Sequence, residues 1–108
     1  MKTSGFTIAI CLVLFASAGI FAQTTRSGPT LTANPVFQKN CAKCHGKTAQ
    51  GRHFGGPSLT SEKSTAMSAA DLRTILTNGK GHMPKYAGKL TPEEIDTLVE
   101  QIKGLSKQ

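Results

Sequence analysis

The pentapeptide Cys41-Ala42-Lys43-Cys44-His45 limits what this chain can become more than any other feature. Side chains three and four apart lie on one face of a helix. Cys41 and Cys44 therefore share a face, and His45 follows Cys41 by one turn on the same side. Cys-x-x-Cys-His is the attachment signature of a c-type haem. Its two thiols add across neighbouring vinyl groups of the porphyrin, and the adjacent imidazole takes the iron. With 3 cysteines and 3 histidines in 108 residues, chance supplies about 0.002 such matches.

Two other chemistries use Cys-x-x-Cys. A structural zinc site needs four protein ligands. After Cys41, Cys44 and His45 the fourth has to be His53, His82 or an acid at no recognisable spacing. A redox dithiol belongs to a strand-helix-strand context, which this sequence lacks. Haem attachment is the favoured reading, with a haem-free zinc or dithiol module as the distant alternative.

Residues 1–22 read as a secretory signal peptide. Lys2 supplies the positive start, Phe6 to Phe15 is almost wholly apolar, and small residues near 18 and 22 offer cleavage positions. The competing reading is an uncleaved membrane anchor facing the periplasm, for which the apolar stretch is short. Cys11 follows Ile10 and is read as apolar filler, not a lipid attachment site. Removal of the leader leaves only Cys41 and Cys44, both used by thioether bonds, so no disulfide staples the fold. The remaining roughly 85–90 residues build a modest core, and an apolar porphyrin supplies missing hydrophobic volume. Export suits that chemistry, because bacteria attach c-type haem outside the cytoplasm.

The chain is basic, with 13 Lys and Arg against 6 Asp and Glu. No recognition motif or aromatic platform supports nucleic acid as the partner. An acidic protein surface or an anionic membrane fits the charge better.

Residues 23–33, rich in Thr, Ser, Gly and Pro, are expected to form a flexible tail before a single domain over 34–108. Asn34-Pro35 opens a helix that runs through Phe37 and Cys41 to about Cys44. Residues 46–67 hold five glycine and proline positions that matter (Gly46, Gly51, Gly55, Gly56, Pro57) and are read as a wrapping loop. Ser68 to Asp71 resembles a capping box, and Asn78-Gly79 ends the helix it opens. Thr91-Pro92-Glu93-Glu94 starts the last helix, whose apolar stripe is Ile95, Leu98, Val99, Ile102 and Leu105. The expected fold is all-α, with three or more helices and long loops.

A carrier haem needs its iron closed on both sides. Met83 is the leading second ligand, because it lies in a polar glycine loop before Pro84, where core filling does not explain a methionine. His82 is a rival, and Met67, close to a helix start, is less attractive. His53 is read as an ordinary loop histidine.

In this order the motifs Cys41-Ala42-Lys43-Cys44-His45, Gly56-Pro57-Ser58-Leu59, Gly81-His82-Met83-Pro84 and Leu90-Thr91-Pro92-Glu93-Glu94 resemble a small bacterial class I cytochrome c, similar to the monohaem cytochrome c6, c-551 and c-555 carriers. The resemblance spans roughly residues 33–105. It implies one haem c, held by Cys41 and Cys44 and ligated by His45 and Met83. It also implies that the Pro57 carbonyl meets the outer nitrogen of His45, that Leu59 packs on the proximal haem face, and that Tyr86 lies near the haem edge. The first and last helices are expected to cross steeply. Where the family commonly has a glycine and an aromatic residue at that crossing, this chain has Ala33, still small enough for close approach, and Gln101, whose missing aromatic contact predicts a looser crossing.

The function implied is that of a periplasmic, monomeric single-electron carrier serving redox proteins. His/Met ligation favours the ferrous state, and a closed iron binds no substrate. A weak peroxidase or gas-binding sensor with a labile sixth ligand is the alternative. Lys43, Lys47, Lys80, Lys85 and Lys89 are expected to ring the haem edge and steer an acidic partner.

Overall fold

Asn34 opens the first helix by the chemistry its sequence announces. Its side-chain oxygen accepts a hydrogen bond from the Val36 amide at 2.9 Å, and Pro35 occupies the first helical position. The structure, a computed structural model, describes residues 29–107. The expected leader over 1–22, and the expected tail up to residue 28, lie outside the described residues.

Five helices follow one another: α1 (Pro35–Asn40), α2 (Ala42–His45), α3 (Glu62–Thr65), α4 (Ala69–Asn78) and α5 (Pro92–Gly104). Single 3-10 turns precede and follow them at Leu31–Ala33 and Leu105–Lys107. Among the described residues there is no strand, only two isolated bridges in the loop before α5. The expected all-α class stands. No helix among the described residues is long and apolar enough to cross a membrane.

Helix α5 starts with a complete capping box. The Thr91 hydroxyl accepts from the Glu94 amide, and the Glu94 carboxylate accepts from the Thr91 amide. Ile95, Leu98, Val99 and Ile102 bury its apolar stripe, each contributing about 1.5–3 kcal/mol when fully enclosed. They meet Leu72 and Leu76 of α4, Leu31, and Phe37, Cys41 and Ala42 from the segment around the Cys-x-x-Cys-His motif in one core. The Lys103 ammonium crosses to the carbonyls of Thr65 and Met67 at 2.8 and 2.7 Å, tying α5 to the end of α3.

Three expectations need correcting. The tail expected up to residue 33 stops earlier, because Leu31–Ala33 forms a turn whose Leu31 is 1% exposed in the core. The single helix expected to reach Cys44 is broken at Cys41, whose φ of −114° interrupts the helical run before α2. The loop expected over 46–67 does pack. It carries α3, capped by the Ser61 hydroxyl, and the wholly buried Ala49.

The crossing of the two ends of the chain also differs. Helix α5 meets the turn at 31–33 and the cap residue Asn34. Gln101, expected to loosen this contact, binds it. Its side-chain oxygen accepts from Asn34 at 2.8 Å, and its amide donates to the Pro29 carbonyl. A polar latch replaces the aromatic contact.

Candidate functional site

The short helix α2 ends on His45, and a helix end leaves carbonyls without partners. Here the following loop supplies all of them. Gly46 N–H donates to Ala42 at 2.8 Å, the Arg52 guanidinium to Lys43 at 2.8 Å, Gly56 N–H to Cys44 at 2.7 Å and Gly51 N–H to His45 at 2.7 Å. The turn bearing both thiols and the imidazole is thus gripped by residues 46–56. Gly46 and Gly51 adopt φ of +82° and +84° to make that wrap, a region open to glycine at little cost.

The loop then delivers Pro57 to the imidazole. The Pro57 carbonyl oxygen lies 2.8 Å from His45 Nδ1. A carbonyl only accepts, so Nδ1 carries the proton and Nε2 presents its lone pair. His45 is buried, yet Nε2 makes no hydrogen bond among the described residues and is not sealed from outside. Gly56 makes the arrangement possible, because a Cβ there would lie 2.7 Å from His45 Nδ1.

The two cysteines differ. Cys41 belongs to the core, whereas Cys44 is exposed, and neither is in a disulfide. Burial, and then the neighbouring Cys44, push the Cys41 thiol up to about 11. Reactive dithiols show the opposite shift. Among the described residues no three His, Cys, Asp or Glu side chains are grouped to hold a metal ion, so the zinc reading lacks its ligand set.

Leu59, Met67, Met83 and Leu90 all pack, partly buried, against the cluster containing Cys41. Met83 sits in a tight turn closed by Lys80 and Met83, whose amides donate to each other's carbonyls at 3.1 and 2.9 Å. The turn is fastened below by Gly79, where a Cβ would lie 2.5 Å from the Met83 carbonyl oxygen. His82, in the same turn, is exposed. Tyr86 is buried, and its hydroxyl donates to the Asn40 carbonyl at 2.8 Å, directly before Cys41. Burial raises its pKa, with Cys41 and Cys44 adding to the effect.

The structure therefore gathers Cys41, Leu59 and Met83 on one apolar cluster, ties Tyr86 to its edge, and aligns His45 through Pro57. A proton-bearing Nδ1 held by a carbonyl, a free Nε2, two unbridged thiols and a half-covered apolar lining fit a covalently tethered haem. The sequence pattern does not announce Arg52, Ala49, the Asn34–Gln101 latch or the close approach of Gly56 to the His45 ring. Only the doubled glycine before Pro57 offered a signal, since close approach demands a missing Cβ.

Fold and site together define a small helical haem protein of the c type. The family described as cytochrome C oxidase, cbb3-type, subunit III matches residues 28–102. Cytochrome c6 of Anabaena variabilis is 36% identical over 74 residues, covering 64% of this chain and 83% of the relative. Cytochrome c6 of Porphyra purpurea is 29% identical over 108 residues, covering 94% and 96%. The cbb3-type cytochrome c oxidase subunit FixP of Bradyrhizobium sp. (strain ORS 278) is 35% identical over 85 residues, which is 75% of this chain and 29% of that longer protein. The chain belongs to the cytochrome c family, as a small class I, monohaem member similar to cytochrome c6.

Proposed function

We propose that this protein is a periplasmic single-electron carrier, with one haem c held by Cys41 and Cys44 and its iron ligated by His45 and Met83. The observation that carries the reading is the 2.8 Å contact between the Pro57 carbonyl and His45 Nδ1. Such a bond fixes the tautomer, orients the ring and raises the basicity of the nitrogen that faces the metal. When bound, the haem supplies a reversible ferric–ferrous couple.

The chain's own part is to hold, close and screen that couple. Cys41 and Cys44 tether from the core side and the open side. Met83 is the natural sixth ligand, because its turn is pinned through Gly79 and its side chain faces the apolar cluster, whereas His82 is exposed. Closure on both sides leaves no position for a substrate, which favours a carrier over a peroxidase or gas sensor. Lys43, Lys47, Lys80, Lys85 and Lys89 are all exposed and suit encounter with acidic redox proteins.

Intact mass of the protein isolated from its host is expected to show one haem added to a leaderless chain, with colour retained in acid-acetone. Pigment that extracts would overturn the attachment. The reduced wild type is expected to bind no carbon monoxide at neutral pH, as is His82→Ala, whereas Met83→Ala binds it. Rapid binding by the wild type would remove Met83 as ligand.

A further inference from the structure

Phe54 is the single large hydrophobic side chain left fully exposed among the described residues. It is also held in a costly backbone conformation, with φ at +62°. For a bulky non-glycine residue that is a genuine outlier, and such outliers mark sites where shape serves a purpose beyond folding. The loop around it is firmly fixed. Gly55 N–H donates to the Arg52 carbonyl at 2.9 Å, Arg52 N–H donates to the Gly56 carbonyl at 3.2 Å, and Gly56 N–H donates to the Cys44 carbonyl at 2.7 Å. Gly55 lies so close that a Cβ would stand 2.6 Å from the Cys44 carbonyl oxygen. The ring of His53 meets that of Phe54 edge-on at 4.3 Å. The chain thus presents an aromatic ring to solvent beside the segment that carries the attachment cysteine.

Charge narrows the kind of partner this stretch of chain suits. From Pro29 to Ser61 the chain has four cations and no acid, whereas from Glu62 to Lys107 seven cations stand against six acids. Three of those four, Lys43, Lys47 and Arg52, line one open depression of about 440 Å³. We propose that Phe54 is the apolar anchor by which this protein docks on its redox partner, a protein surface offering an apolar recess rimmed by carboxylates. This rests on the carrier reading above. A second copy of the chain would bring the same positive charge against itself. A lipid surface asks for several apolar side chains on one face, and Phe54 stands alone. One exposed aromatic ring in a stretch that carries cations and no acid is the scale of a protein–protein hot spot.

The test uses the haem-loaded protein with wild type, Phe54→Gly and Phe54→Trp. The reduced forms are oxidised by native-host membranes and, separately, by ferricyanide, a small ion that needs no recess. With membranes, Phe54→Gly is expected to react about ten-fold more slowly or worse at limiting protein, and Phe54→Trp to keep most of the rate. Ferricyanide is expected to oxidise all three alike, and Phe54→Gly to unfold no earlier than wild type, because glycine relieves the φ and nothing buried is lost. Equal membrane rates for wild type and Phe54→Gly overturn the proposal. So does a matching loss with ferricyanide, or a loss that tracks binding to protein-free phosphatidylglycerol vesicles or self-association in sedimentation. A wild type that exchanges no electron even with ferricyanide instead defeats the carrier reading.

Discussion

A methyl group placed on Gly56 would lie 2.7 Å from His45 Nδ1 and 2.8 Å from Cε1. Neither the ring nor the loop can yield freely, because the Gly56 amide is bound to Cys44 and the ring to Pro57. Gly56→Ala is therefore expected to cost about 1–3 kcal/mol, with loss of the slowly exchanging Nδ1 proton in NMR spectra. Gly104→Ala is the matching control. Nothing lies within 4 Å of its added Cβ, so chemical denaturation is expected to show a gain of up to about 1 kcal/mol at this helical position. Residue-level legibility divides along the same line. Cys41, Cys44 and His45 announce themselves because their chemistry is fixed by local spacing. Ala49, wholly buried at φ +62°, does not, because only the folded wrap of the loop creates its constraint.

At the scale of elements, the polar latch between Asn34 and Gln101 joins the start of α1 to the body of α5. Asn34 is 6% exposed, so its side-chain amide loses a partner that water cannot readily replace. Gln101→Ala is expected to destabilise by about 1–3 kcal/mol, read as an earlier thermal midpoint. The starts of α1, α4 and α5 were readable because a cap is a hydrogen bond between residues two or three apart. In α4 the reading was half right: the Ser68 hydroxyl accepts from the Asp71 amide, but the shorter aspartate turns to that hydroxyl instead of the Ser68 amide. The single turn of α3 escaped notice. It is held by Ser61 and Ser64 folding back on the Ser58 carbonyl, an arrangement without apolar periodicity.

For the whole molecule, the uneven spread of cations over the two halves of the chain gives a lasting electrostatic bias. Oxidation by native-host membranes is expected to slow by about an order of magnitude between low and physiological salt, in stopped-flow measurements over an ionic-strength series. Rates that ignore salt would leave the exposed lysines as ordinary surface. The total charge was legible at once, but which side chains share a face with the attachment segment was not. That depends on the loop from Gly46 to Pro57 folding back on α2. Every free carbonyl of that short helix is spoken for by the loop, so neither can melt without the other. The turn that bears both thiols and the imidazole is therefore expected to open together with its wrapping, as one cooperative unit joined by four hydrogen bonds.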